Sequence, residues 1–153
     1  MLRLSGDNMK RYALPVLGMI AAAWSLAAQA QESFKTRLAP VPIDERLAPT
    51  VKGHGSVSAV LAGSKLTITG SFEGMLSPAI AAHLFESKIT GTRGVAVQDL
   101  TVSKGTAGDI SGTVDLTPSQ VEGLRKGLLY VVVHSQGAPD GNLWGWLLKQ
   151  GGK

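Results

Sequence analysis

The chain contains no cysteine. Disulfides, thiol nucleophiles and thiolate metal centres are therefore excluded, and stability has to come from burial alone. Aromatic residues are sparse, with three Phe, three Trp and two Tyr among 153 residues. The only histidines are His54, His83 and His134, too few for a copper–zinc centre, whose copper alone takes four imidazoles. No run of Lys or Arg makes a nucleic-acid footprint, so no nucleic-acid partner is expected. Phosphate loops and dinucleotide fingerprints are missing as well, since Gly141-Asn142-Leu143-Trp144-Gly145 fits neither.

One apolar run does occur, Tyr12–Leu26, behind Lys10 and Arg11 and ahead of Ala28-Gln29-Ala30. Basic, apolar and small-x-small segments in that order read as a signal peptide over residues 1–30, cleaved after Ala30. The run falls short of the roughly 20 residues of a membrane-spanning helix, so a retained anchor is the weaker alternative. Met9-Lys10-Arg11 would open a compact signal, which makes Met9 a rival to Met1 as the start. The expected product is periplasmic or secreted, with no membrane span after cleavage. Removing residues 1–30 leaves 123, enough for one domain with one core. Arg3, Lys10 and Arg11 against Asp7 lie in the removed part, so the formal +4 falls to about +2.

Beyond residue 30 the hydrophobic period is two. Phe34, Thr36 and Leu38 alternate with Lys35 and Arg37, predicting a first strand. Pro40, Pro42 and Pro49 then predict an extended crossing of the domain edge over residues 39–50. The first strand and this proline-rich edge form a segment 31–50, followed by a β domain over 51–149. Ser56–Leu61 and Lys65–Phe72 read as a hairpin about Ala62-Gly63-Ser64. In Ile80–Glu86, the positions Ile80, Ala82 and Leu84 lie opposite Ala81, His83 and Phe85. Val95–Ser103 and Asp109–Leu116 make two more strands about a Lys104–Gly108 turn.

Thr117-Pro118-Ser119-Gln120 carries the one helix signal: an N-cap hydroxyl, a proline at the first helical position and a glutamine closing a capping box. Gly123 and Gly127 keep that helix short, near 117–127, with Val121 and Leu124 turned to the core. Leu128–His134 and Asn142–Leu148 complete the set around a tight Pro139-Asp140-Gly141 turn, and Gly151–Lys153 should fray. The pattern predicts an all-β fold, an antiparallel Greek-key β-sandwich of about eight strands with one short helix.

Ala82-His83-Leu84, the Asp109–Leu116 strand, the Thr117–Gln120 helix start, Leu129–His134 and Asp140–Leu147 together resemble the CHRD, or chordin-type, domain. The resemblance runs over roughly residues 55–148, with several segments in the expected order. It implies a fold similar to copper/zinc superoxide dismutase, in the wider immunoglobulin-like manner, and an extracellular or exported setting. The family takes its name from repeats in chordin, an extracellular antagonist of secreted growth factors. It also includes bacterial single-domain members of unassigned activity, so the resemblance implies no reaction. Members often carry His-x-His in the third run; here the second position is Phe85, leaving His83-Leu84-Phe85.

Trp144 and Trp146 sit two apart on a strand and must share a face. CHRD domains commonly place polar residues at those positions, and the resemblance thus implies that the face points outward. Tyr130, Val132 and His134 take the matching face of the preceding strand, with His83 and Phe85 extending it. Contiguous exposed aromatics mark binding surfaces. The competing structural role is a face covered by the helix or the proline-rich crossing, with each indole N–H bonded to a carbonyl.

No constellation calls for an enzyme: His134 and Ser135 are adjacent and point to opposite faces, and the Asp residues are dispersed. The expected function is a non-catalytic exported binding module for a periplasmic or extracellular protein. Its expected binding residues are Tyr130, His134, Trp144, Trp146, His83 and Phe85. A small-molecule or glycan binder is the alternative, and a weak metal site from His83, His134 and Glu86 is a more distant one. No cofactor and no metal ligand are assigned, and the oligomeric state is open.

Overall fold

The computed structural model describes residues 30–151 apart from positions 43 and 47. The expected signal segment, the choice between Met1 and Met9 and the last two residues of the tail expected to fray therefore lie outside the described residues. Alternating sequence becomes alternating burial. In β1 (Gln31–Pro40), Phe34 and Leu38 are buried while Lys35 and Arg37 are exposed. β2 (His54–Ala62) and β3 (Lys65–Glu73) form the expected hairpin, pairing Ala62 with Lys65 across Gly63-Ser64. Gly63 takes φ +64°, a left-handed turn position that suits glycine. Leu66, Ile68 and Phe72 face the core, and Thr67, Thr69 and Ser71 face solvent.

β4 (Ala79–Glu86), β5 (Val95–Val102) and β6 (Gly108–Asp115) follow in antiparallel succession. Ile80 departs from its expected face. The pairing of β4 shifts between Ala79 and Ala81, an extra residue that buries Ala79 and leaves Ile80 38% exposed. Helix α1 (Pro118–Arg125) starts as its sequence requires: Thr117 Oγ1 accepts from the Gln120 amide, and the Thr117 amide donates to Gln120 Oε1. Its Val121 and Leu124 join the main core. β7 (Leu129–Ser135), β8 (Leu143–Trp146) and the two-residue β9 (Leu148–Lys149) are the last strands among the described residues.

The hydrogen-bonded order is β2-β3-β6-β5-β4-β7-β8-β1, and β1 also pairs with β2. Among the described residues, eight antiparallel strands thus close a ring. The fold is a β-barrel rather than the sandwich of two separate sheets expected from the pattern. Two strands that change partner midway account for the difference. β1 pairs with β2 from Gln31 to Leu38 and then with β8 through Ala39 and Pro40. β5 leaves β4 after Leu100 and pairs with β6 through Thr101 and Val102. Alternation along a strand cannot reveal such a switch, because both halves keep the same inner face.

The β1–β8 seam depends on Gly145. A Cβ there would lie 2.6 Å from Thr36 Oγ1 and 2.7 Å from the Arg37 carbonyl, so only glycine lets β1 pass this close. Past Pro40 the chain does not stay extended. The Val41 amide bonds the Asn142 carbonyl, and a turn follows in which the Ala48 amide bonds the Asp44 carbonyl.

Candidate functional site

Strand register assembles the candidate site. Across β4, β7 and β8, His83 lies opposite Val132 and Val132 opposite Trp144; Phe85 lies opposite Tyr130 and Tyr130 opposite Trp146. His134 lies opposite Ala81. Directly opposed residues of an antiparallel pair share a face. The intervening residues Ala82, Leu84, Val131, Val133 and Leu143 fill the main core, so these aromatic rows face outward.

All six residues singled out from the sequence meet in one run of ring contacts. His83 touches His134 (centroids 4.8 Å apart) and Phe85 (5.9 Å). Phe85 stacks on Tyr130 at 5.3 Å, and Tyr130 meets Trp146 at 4.3 Å and Trp144 at 5.9 Å. Both indoles are half-buried, whereas Tyr130 is only 2% exposed.

Part of the face is covered. Val41, Val51 and Ala138 form a small separate apolar cluster against which Trp144 packs, so the proline-rich segment does shield that edge. Helix α1 does not reach it, because its apolar side is spent on the main core. A second cover comes from the β4–β5 loop. The Gly94 amide donates to Tyr130 Oη at 2.8 Å, and Arg93 Nη1 donates to the Asp140 carbonyl at 3.1 Å. Between these covers remains a recess of about 100 Å³ lined by Phe85, Tyr130, Val132, His134 and Trp144, with Val41, Arg93, Gly94 and Asp140 also lining it. A wider depression of about 510 Å³ beside His54 and Glu73 is open, and those two side chains are paired with each other at 2.9 Å.

The two imidazoles are held differently. His134 is 9% exposed, and its Nδ1 lies 2.8 Å from the Pro139 carbonyl. A carbonyl only accepts, so Nδ1 carries the proton and Nε2 the lone pair. Burial, with help from the nearby His83 and Arg93, outweighs the raising effect of the bond to Pro139 and pushes the His134 pKa down, which favours its neutral form. His83 Nε2 lies 3.3 Å from Asp99 Oδ1, its neighbour across β4–β5. Glu86 does not join them; it lies against α1, where a Cβ on Gly123 would meet its Oε1 at 2.9 Å. Among the described residues no group of three His, Cys, Asp or Glu side chains converges as a metal centre would require. Ser135 likewise turns away from His134, and its hydroxyl bonds Asn142 Oδ1 at 2.9 Å.

The sequence did not reveal the supports of the site. The β7–β8 connection is longer than a tight turn: the Ala138 amide bonds the Ser135 carbonyl and the Gly141 amide the Ala138 carbonyl, two successive turns before Leu143 pairs with Val133. Asn142, fully buried, holds this loop by accepting from Ser135 and donating to the Lys52 carbonyl at 2.9 Å. It read as a mere strand start because a polar residue after Asp-Gly looks like turn chemistry. Arg93 and Gly94 lie in a Gly-Thr-Arg-Gly loop that carries no spacing signal.

No curated protein and no solved structure matches the chain. A family model described as the CHRD domain matches residues 38–147, from the outer part of β1 to the end of the aromatic hairpin. That span takes in β2 to β8, the last three residues of β1 and the whole aromatic face, well over half of the sequence. The chain belongs to the CHRD domain family.

Proposed function

We propose that this domain is an exported, non-catalytic interaction module that docks a periplasmic or extracellular protein on the outer face of β4, β7 and β8. The observation that carries this reading is the pair of half-buried indoles, Trp144 and Trp146, in ring contact with a buried Tyr130 beside a recess. Trp and Tyr concentrate interface energy, and such residues do so best beside a pocket that a partner side chain fills. Membership of the CHRD family supports a binding role in general terms.

Size favours a protein over a glycan or free metabolite. Ligand clefts usually measure about 300–1,000 Å³, whereas this recess holds about 100 Å³. It accommodates one side chain, not a sugar. The basic, apolar and small-residue succession over residues 1–30 supports export. Export and the lack of a catalytic set belong to this reading equally.

The test uses the chain from Gln31 onward, in which Trp144 and Trp146 are the only tryptophans, so intrinsic fluorescence reports the site alone. Partners captured from periplasmic extract by the wild type should be lost by the Trp144→Ala/Trp146→Ala variant, once circular dichroism shows it folded. Re-addition of a captured partner should shift the wild-type emission to the blue. Equal capture by both proteins would remove the aromatic face as the docking surface.

A further inference from the structure

Two ring nitrogens stand out as buried and unpartnered among the described residues, His83 Nδ1 and His134 Nε2. They belong to rings in edge contact, 4.8 Å apart between centroids and inclined by 74°. A buried acceptor without a donor costs about 1–3 kcal/mol, and two on touching rings call for a common explanation. In each ring the opposite nitrogen is already engaged. His134 Nδ1–H donates to the Pro139 carbonyl, and His83 Nε2 faces the Asp99 carboxylate. Imidazoles that ligate a metal are oriented in this way: one nitrogen gives its proton to a carbonyl or carboxylate, and the other presents a lone pair.

We propose that His83 and His134 form a two-nitrogen site for a soft monovalent cation, cuprous copper, bound through His83 Nδ1 and His134 Nε2. Ion-to-nitrogen distances of about 2.0 Å put the centroids of two rings that bind one ion from opposite sides roughly 6 Å apart. From the present 4.8 Å the rings have to part by roughly 1–1.5 Å to take the ion in.

Charge decides which ion. The donors are two neutral imidazoles, and no third His, Cys, Asp or Glu joins them among the described residues. The surroundings are the Phe85 ring, 5.9 Å from His83 and 6.3 Å from His134 between centroids, with cationic Arg93 and anionic Asp140 acting on His134 electrostatically in opposite senses. A divalent ion would bring four times the desolvation cost of a monovalent one of similar size, because that cost rises as the square of the charge. No third ligand, and so no carboxylate, joins the pair among the described residues to offset it directly. Copper in its monovalent d10 state accepts two nitrogen donors and needs no bound water, which suits nitrogens that solvent does not reach. Zinc would need four ligands and finds two.

This assignment does not rest on the docking reading, since ion binding is measured on the isolated domain with no partner present. The chain from Gln31 onward is the right material. It contains the whole ring and retains Met75 as its only methionine, buried at 5% exposure, so leader methionines do not compete for the ion. Cuprous copper is titrated anaerobically against a chromogenic chelator, and silver(I) serves as a redox-inert probe in nitrogen-15 spectra of the imidazoles.

One equivalent should bind, and silver should shift His83 Nδ1 and His134 Nε2 while leaving His54 in place. His83→Gln should abolish binding, Asp99→Asn should weaken it 10–100-fold through loss of the carboxylate charge beside His83 Nε2, and His54→Gln should bind as the wild type does. His134 is buried and its substitution can cost folding, so the decision rests on His83→Gln and on the wild-type spectra. Binding that survives His83→Gln, or no stoichiometric binding at micromolar copper, overturns the site and leaves a bridging water as the occupant. Zinc bound as tightly with the same histidine dependence overturns the monovalent assignment.

Discussion

Replacing Tyr130 by Phe removes one oxygen atom and leaves the ring that stacks on Phe85 and Trp146. The hydroxyl oxygen accepts the Gly94 amide at 2.8 Å, in a place where Tyr130 is 2% exposed. Its loss leaves a partly buried N–H with no acceptor, which costs about 1–2 kcal/mol. The loop has little freedom to escape, because the Gly94 backbone presses on Glu86: a Cβ at Gly94 would lie 1.9 Å from the Glu86 carbonyl. For a domain of this size, that loss corresponds to a fall of roughly 3–8 °C in Tm. Urea unfolding with an unchanged slope should give the same free energy, since the exposed surface is the same.

The change should also be local. The Gly94 amide should exchange with deuterium about tenfold faster, while the β2–β3 amides follow only global stability. Stability within about 0.5 kcal/mol of wild type, with Gly94 exchange unaltered, would refute the argument. The loop would then be held by something other than this bond.

Two other perturbations probe the ring and its ties. Gly145→Ala should cost about 2–3 kcal/mol in urea unfolding, because the new methyl meets the Arg37 carbonyl, which cannot step aside. Gly112→Ala, whose nearest obstacle is the end of the Leu100 side chain, should cost less; equal costs would argue against a rigid β1–β8 seam. Glu32 accepts from Arg125 at 2.6 Å and from Lys149 at 2.9 Å, and these two cations, hydrogen-bonded to it, lower its pKa from 4.5 to about 2. The folded state therefore holds the carboxylate's proton less tightly than the unfolded chain does. The stabilisation is complete above pH 4.5 and is lost as pH falls towards 2. Melting curves of Glu32→Gln should show a shallower decline across that window than wild type, and parallel curves would remove the ion pairs as the cause.

The sequence carried the local elements well. Phe34 and Leu38, the Gly63-Ser64 turn and the Thr117–Gln120 cap each rest on contacts within a few residues, so spacing alone identifies them. It carried the aromatic face too, because parity puts Trp144 and Trp146 on one side and hairpin pairing brings Tyr130 beside them. What stayed hidden depends on contacts far apart in the chain. Gly145 is needed because of Thr36, the Lys52 carbonyl waits for Asn142, and Gly94 finds the Tyr130 hydroxyl. The strand switch at Ala39 is of the same kind. Glu86 failed as a ligand because a helix 30 residues later claims its side of the strand.

The first strand lies between the second and the last: Phe34 pairs with both Ala59 and Lys149, and the Gln150 amide bonds the Ser33 carbonyl. Its outer partners, Leu148 and Lys149, are thus made long after it. A nascent chain held back at its tail can assemble the central hairpins but cannot finish the circle. Completion has to await synthesis of β8 and β9, so the domain stays threadable, and vulnerable to proteases, until both have emerged.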